Sequence, residues 1–176
     1  WWYGGAAPTR LPVDLLDAEP DLLGFLSQRD REFALFDIST EICRHVSVAA
    51  SWEPNGRSVA LGFAACTSAR TAARNATVEM MQTEIGLLQR RQTNDPLTSL
   101  WLSEAHADMP VFCETMAARP DPEKEPETLI YIDQTQPAFC IPVFRAMCPE
   151  LASDKPRLGS PRIVASGNPL GLPLLV

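Results

Sequence analysis

Asn75, Glu79 and Gln82 fall at i, i+4 and i+7 within the stretch LGFAACTSARTAARNATVEMMQTEIGLLQRR, residues 61–91. At about 100° per residue of α-helix they share one narrow arc with Gly86. A carboxylate flanked by amides can hold a hydrated Mg²⁺, which takes oxygen ligands and often reaches phosphates through one or two carboxylates. The same stripe can hydrogen-bond a nucleotide directly. The alternative is that Glu79 is a solvated surface carboxylate, and the spacing alone leaves both readings open.

Other chemistry finds less support. Cys43 and His45 are two residues apart, so on a strand they share a face and a thiol–imidazole contact is open to them. No third residue is evident to orient the pair, which a nucleophilic cysteine site needs. His106 sits near the end of a predicted helix and reads as structural. The chain has no GxxxxGK[ST] loop, no GxGxxG after a strand, no HExxH and no GxSxG, which removes the common nucleotide-loop, zincin and hydrolase signatures.

The element that carries the stripe is the longest predicted helix, 67–92, rich in Ala, Met, Leu, Gln, Glu and Arg, all good helix formers. Thr67 or Ser68 can cap its N-terminus, and Arg90 and Arg91 suit the negative pole at its end. Met80, Leu87, Ala73 and Ala76, extended by Met81, Ile85 and Val78, predict a broad apolar cover around the stripe. Thr77 and Glu84 interrupt that cover on the far side. Before the helix, Phe33–Ile38, His45–Trp52 and Ser58–Phe63 read as strands, the last two joined by a turn at Pro54-Asn55-Gly56. Pro12–Arg31 is a short helical stretch interrupted by Pro20, and residues 1–11 read as the tail of a preceding element followed by a turn. After the helix, Leu97–Ala107 predicts a shorter one. Residues 129–150 predict a strand pair that resembles Leu35–Ser51: strand, Asp, a Thr within three residues, then a Cys leading into the second strand. Asp37 and Asp133 are the matched points, and each reads as a side chain capping the following turn.

The predicted division is therefore 1–31 connector and short helix, 32–66 strands, 67–92 central helix, 97–107 helix, 108–128 mobile connector, 129–150 strand pair, and 151–176 proline-containing tail. The fold class is α+β, with mixed sheets of β-hairpin units packed against helices. With 176 residues this is one domain or part of one. A net charge of −7 argues against non-specific nucleic-acid binding and against an anionic membrane surface. No apolar run approaches the roughly 20 residues that span a bilayer. Five cysteines, Cys43, Cys66, Cys113, Cys140 and Cys148, without CxxC or Cys/His metal spacing, predict free thiols in a reducing cytoplasm. The start at Trp1-Trp2-Tyr3, without an initiator Met, predicts a chain that begins mid-protein.

In order, these segments are the WWY start, an acidic helical stretch, FALFDIST, a Pro-Asn-Gly turn, ALGFAACTSARTAARNATVEMMQ, WLSEAHADMP, IYIDQTQPAFCIPVFRAMCPEL and a proline-bearing C-terminus. That order resembles the C-terminal portion of YcaO-family proteins and covers nearly all of the chain. The resemblance implies a partial YcaO-like fold and ATP with Mg²⁺ as cofactors. It places Glu79 at the family's helix glutamate, a nucleotide and metal ligand, and Gln82 at a common family residue beside it. Asn75 stands where relatives often carry Arg, with Arg74 one place earlier. On an ideal helix Arg74 points about 100° away, so it substitutes only if the helix is shifted or rotated. Pro169 and Pro173, in NPLGLPLLV, fall in the tail that reaches the active site of azoline-forming relatives, although the stricter PxPxP ending is absent.

The activity implied is ATP-dependent cyclodehydration of Cys, Ser or Thr in a ribosomally made precursor peptide. Phosphorylation of the backbone amide oxygen turns a poor leaving group into phosphate, and loss of phosphate leaves a thiazoline or oxazoline. Relatives that form thioamides or amidines, and non-catalytic scaffold subunits of the same fold, are the alternatives. The implied partners are the precursor peptide and the remainder of the protein, or a partner subunit, carrying the ExxER helix and the leader-binding module; a homodimer is also allowed. Without ExxER elements, the isolated chain is expected to bind ATP poorly.

Overall fold

A computed structural model describes residues 8–39, 45–93, 95–112, 130–136, 138 and 142–147. Trp1, Trp2, Tyr3, Cys43, Cys113, Cys140, Cys148, most of the predicted connector, and the tail with Pro169 and Pro173 lie outside the described residues.

The centre is a four-stranded antiparallel sheet in the order β1 (Thr9–Leu11), β2 (Glu32–Asp37), β3 (His45–Trp52), β4 (Ala60–Cys66). β1 falls where the sequence predicted a turn, because three residues carry too little periodicity to be read as a strand. Between β1 and β2 the chain makes a 3-10 turn at Val13–Leu16 and a short helix, α1 (Pro20–Ser27). Pro20 occupies the first turn of α1, where a missing N–H is harmless, so it starts a second helical piece and separates it from the first.

β3 and β4 are joined by a tight loop in which Gly56 (φ 78°) and Ser58 (φ 56°) both take the left-handed region. Asn55 Oδ1 accepts the Arg57 N–H at 2.8 Å, and Glu53 accepts from Gly56 through its backbone carbonyl. Helix α2 (Ala69–Arg91) follows, capped by Ser68, whose hydroxyl accepts from the Thr71 N–H at 3.1 Å. Helix α3 (Pro96–Glu104) is capped the same way by Asp95, which accepts from both the N–H and the hydroxyl of Thr98.

Both faces of the sheet are covered. α2 lies over β4 and β3 on one face. On the other, Phe112 in a 3-10 turn at Pro110–Phe112 sits with its ring 6.0 Å from those of Phe36 and Trp52. Trp101 of α3 is buried and donates its indole N–H to the Val59 carbonyl at 2.7 Å. Covering on two faces explains why β3 is buried from Ser47 to Trp52 rather than alternating. His106 packs against the β3–β4 loop, where a Cβ added to Gly56 would meet its imidazole at 2.6 Å.

A second, two-stranded sheet is formed by β5 (Ile130–Asp133) and β6 (Phe144–Met147). Its entry repeats that of β2–β3 atom for atom. In the first, Asp37 Oδ1 accepts the Ser39 N–H, Ser39 Oγ accepts the Val46 N–H, and the Ile38 N–H donates to the Val46 carbonyl. In the second, Asp133, Thr135, Gln134 and Val143 make the same bonds. Both aspartates are thus turn-capping residues, and the hydroxyl partner in the first is Ser39. These bonds to Thr135, the side-chain hydroxyl first, hold the Asp133 carboxyl below the ordinary range.

Candidate functional site

The path of α2 over the sheet is fixed by Gly62. A Cβ built on that residue would meet the Ala76 carbonyl oxygen and the Met80 nitrogen at 2.1 Å, so the helix backbone rests directly on the β4 backbone. Such an approach admits small residues only, and Ala72, Ala73, Ala76 and Thr77 are fully buried with Met80. The face toward the sheet therefore runs 73, 76/77, 80, 84, 87, a 3.6-residue period. This differs from the apolar cover read in the sequence. Ile85 and Leu88 are exposed, while Thr77 and Glu84 turn inward. Close backbone approach, rather than side-chain hydropathy, selects the inward face, and local partners satisfy the two polar residues. Thr77 donates its hydroxyl to the Ala73 carbonyl, and Glu84 is met by Arg29, Arg31 and Ser51.

With that rotation, Asn75 and Glu79 lie on the flank of α2 beside β4, an edge strand among the described residues. Glu79 Oε2 accepts the Phe63 backbone N–H at 2.9 Å, and the side chain is half-buried. Asn75 donates through Nδ2 to the Cys66 sulfur at 3.6 Å. Arg74 reaches across to the stripe. Its Nη1 donates to Asn75 Oδ1 at 3.2 Å while its Nε pairs with Glu19 at 3.0 Å. The long side chain spans the 100° offset between neighbours. Gln82 is exposed on the side of α2 away from the sheet. The structure thus groups Arg74, Asn75 and Glu79 by their contacts beside β4, with Gln82 exposed about two turns along the helix from Asn75.

Cys66 is the residue that sequence reading left out of this group. It ends β4, is a half-buried free thiol, and lies directly opposite His45 in the β3–β4 register. His45 therefore has Cys66 as its cross-strand neighbour, whereas Cys43 lies outside the described residues. Only strand register could show this, since the two are far apart in the chain.

One carboxylate with an amide beside it fits a single ligand position of a hydrated Mg²⁺. Glu79 engages Oε2 with Phe63, and a carboxylate has further acceptor capacity on its second oxygen. Among the described residues no three His, Cys, Asp or Glu side chains gather closely enough to cage a metal. A metal here would take its remaining ligands from water, phosphate or other segments. A cleft of about 70 Å³ lies elsewhere, toward the C-terminal end of α2, lined by Arg31, Glu53, Ser58, Glu84, Leu87 and Arg91.

A family model described as YcaO cyclodehydratase, ATP- and Mg²⁺-binding, matches residues 1–125. A comparison with curated proteins returned no match. Among solved structures, "Heterocyclase in complex with substrate and Cofactor" is similar at a TM-score of 0.76 and 18% identity, covering 99% of this chain and 29% of that one. "Structure of the heterocyclase TruD" is similar at 0.71 and 19% identity, covering 99% and 30%. The chain thus spans less than a third of the length of the heterocyclases it matches.

Proposed function

This chain belongs to the YcaO family, and from that premise we propose that it forms one wall of an ATP and Mg²⁺ site in a cyclodehydratase. The reaction is ring closure of Cys, Ser or Thr in a ribosomally made precursor peptide to a thiazoline or oxazoline. That the chain spans about 30% of the heterocyclases it matches supports assigning the ExxER helix and leader-binding module to other segments or a partner subunit.

The observation that carries this reading is the flank of α2, where Glu79, Asn75 and Arg74 stand together beside β4. Glu79 supplies a carboxylate oxygen to Mg²⁺. Arg74, braced by Glu19, supplies the cation that relatives carry at the position of Asn75. Fixed charges of this kind neutralise what develops on a transferring phosphoryl group and on the amide oxygen that receives it. Gln82 borders the site, and Pro169 and Pro173 are assigned, from the family's tail, to the region where the peptide reacts. Among the described residues no helix is long and apolar enough to cross a membrane, and a cytoplasmic enzyme fits the free thiol chemistry.

A competing reading rests on one contact: Glu79 accepts the edge-strand N–H of Phe63 and is a structural cap in a non-catalytic subunit. Glu79→Gln separates the two. Glutamine keeps a carbonyl acceptor for Phe63 but loses the charge, so a cap survives and a metal ligand does not. In the complete enzyme with a Cys-rich precursor, the variant is expected to lose ATP turnover and the mass loss of about 18 Da per ring that follows phosphoryl transfer. Unchanged turnover overturns the assignment, and a sulfur-for-oxygen mass gain in the parent indicates thioamide formation instead.

A further inference from the structure

We propose that Glu84, on the opposite flank of α2 from the candidate nucleotide site, is a positioning residue that sets the rotation of the helix and thereby the placement of Glu79. The proposal rests on the nucleotide-site reading above.

Small residues let α2 approach β4 closely but resist sliding and rotation weakly, because Ala72, Ala73 and Ala76 offer little relief to interlock with Gly62. Glu84 is the charged residue of the face toward the sheet, and it ties α2 to two other elements at once. Its Oε2 pairs with Arg29 Nη1 at 2.5 Å, and its Oε1 with Arg31 Nε at 3.3 Å, both from the segment between α1 and β2. Oε1 also accepts the hydroxyl of Ser51 on β3. Arg31 is held in turn by the Ser58 carbonyl at 2.7 Å and by Ser51 Oγ. Arg29 lies over the Phe25 ring, 5.5 Å from its centroid.

The three charged side chains are between 12% and 19% exposed, so the cluster works in a medium where an uncompensated charge is expensive. Burial pushes the Arg31 guanidinium down from its ordinary value, and the neighbouring Glu84 charge opposes that shift. Among the described residues Arg29 Nε and Nη2 are buried without a hydrogen-bond partner, and Glu84 is the carboxylate paired with this guanidinium. Five residues separate Glu79 from Glu84, about 140° around the axis and about 7.5 Å along it. Within a rigid helix, any rotation that releases Glu84 from its arginines swings Glu79 away from the Phe63 N–H by the same angle.

The test is a double-mutant cycle in the complete enzyme, reading KM for Mg·ATP and kcat for ATP turnover. Glu84→Gln is expected to raise KM by about tenfold, the scale of coupling between groups that share a rigid element. The same change in a Glu79→Gln background is expected to leave KM where Glu79→Gln alone puts it. Ser51→Ala keeps both ion pairs and removes the hydroxyl that bridges Glu84 and Arg31, so it gives a smaller rise in the same direction and serves if Glu84→Gln fails to fold. A lowered melting temperature with unchanged KM, in either variant, makes Glu84 merely structural and overturns the proposal. Multiplying rather than masked effects in the double variant also overturn it. If Glu79→Gln alone leaves KM unchanged, the nucleotide-site reading falls and this proposal falls with it. If Glu79→Gln acts and Glu84→Gln does not, only the positioning role is lost.

Discussion

Gly62→Ala tests the geometry on which the candidate site depends. The added methyl would stand 2.1 Å from the Ala76 oxygen and the Met80 nitrogen and 2.8 Å from the Glu79 carbonyl carbon. All three are backbone atoms inside a 23-residue helix, so no side chain can rotate aside. Ordinary van der Waals contact begins at 3.4 Å, which requires α2 and β4 to separate locally by about 1.3 Å. Overpacking of this kind costs about 1–3 kcal/mol. The same displacement carries the Glu79 oxygen, now 2.9 Å from the Phe63 nitrogen, out of hydrogen-bond range. Urea unfolding is expected to show a lower midpoint with an unchanged slope, and ATP turnover of the complete enzyme is expected to fall. A stability within about 0.5 kcal/mol of the parent, the range of an ordinary surface substitution, would refute the claim that helix and strand backbones meet at Gly62.

Ser68→Ala removes the acceptor of the Thr71 N–H and is expected to destabilise the protein by about 1 kcal/mol, with Ser68→Gly milder, both read from chemical denaturation. Thr98, first through its hydroxyl and then through its N–H, holds the Asp95 carboxyl below the ordinary range. A lowered folded-state pKa contributes stability above the unfolded value and loses it as pH falls through the folded one. The melting-temperature gap between the parent and Asp95→Asn is therefore expected to shrink on acidification below the ordinary Asp range, and a gap independent of pH refutes the cap's ionic character. Alkylation of Cys66, mapped by peptide mass, is expected to slow when Mg·ATP occupies the complete enzyme, since the thiol is 3.6 Å from Asn75. Equal rates with and without nucleotide place the ligand elsewhere.

Much of the fold was legible in the residues, for identifiable reasons. A 23-residue helix with Ser68 at its cap and Arg90 and Arg91 at its end declares itself through local propensity and local bonds. The hairpin at Asn55-Gly56 and the paired turns at Asp37 and Asp133 do so too, because their partners lie two residues away. The motif order that resembles the YcaO family is likewise a property of the chain alone, and it pointed to Glu79. The face that α2 turns inward was not available there. It follows from Gly62 meeting the helix backbone across the β4–α2 junction, an event between main chains that hydropathy does not encode. Glu84 looked like a break in an apolar surface until Arg29 and Arg31, more than fifty residues earlier, closed on it. Arg74 looked misplaced until its side chain was seen to reach Asn75. The sequence by itself determined most of the elements, β1 excepted, and singled out Glu79 as the candidate carboxylate. The tertiary structure decided what that carboxylate faces, because helix rotation is set by contacts distant in the chain.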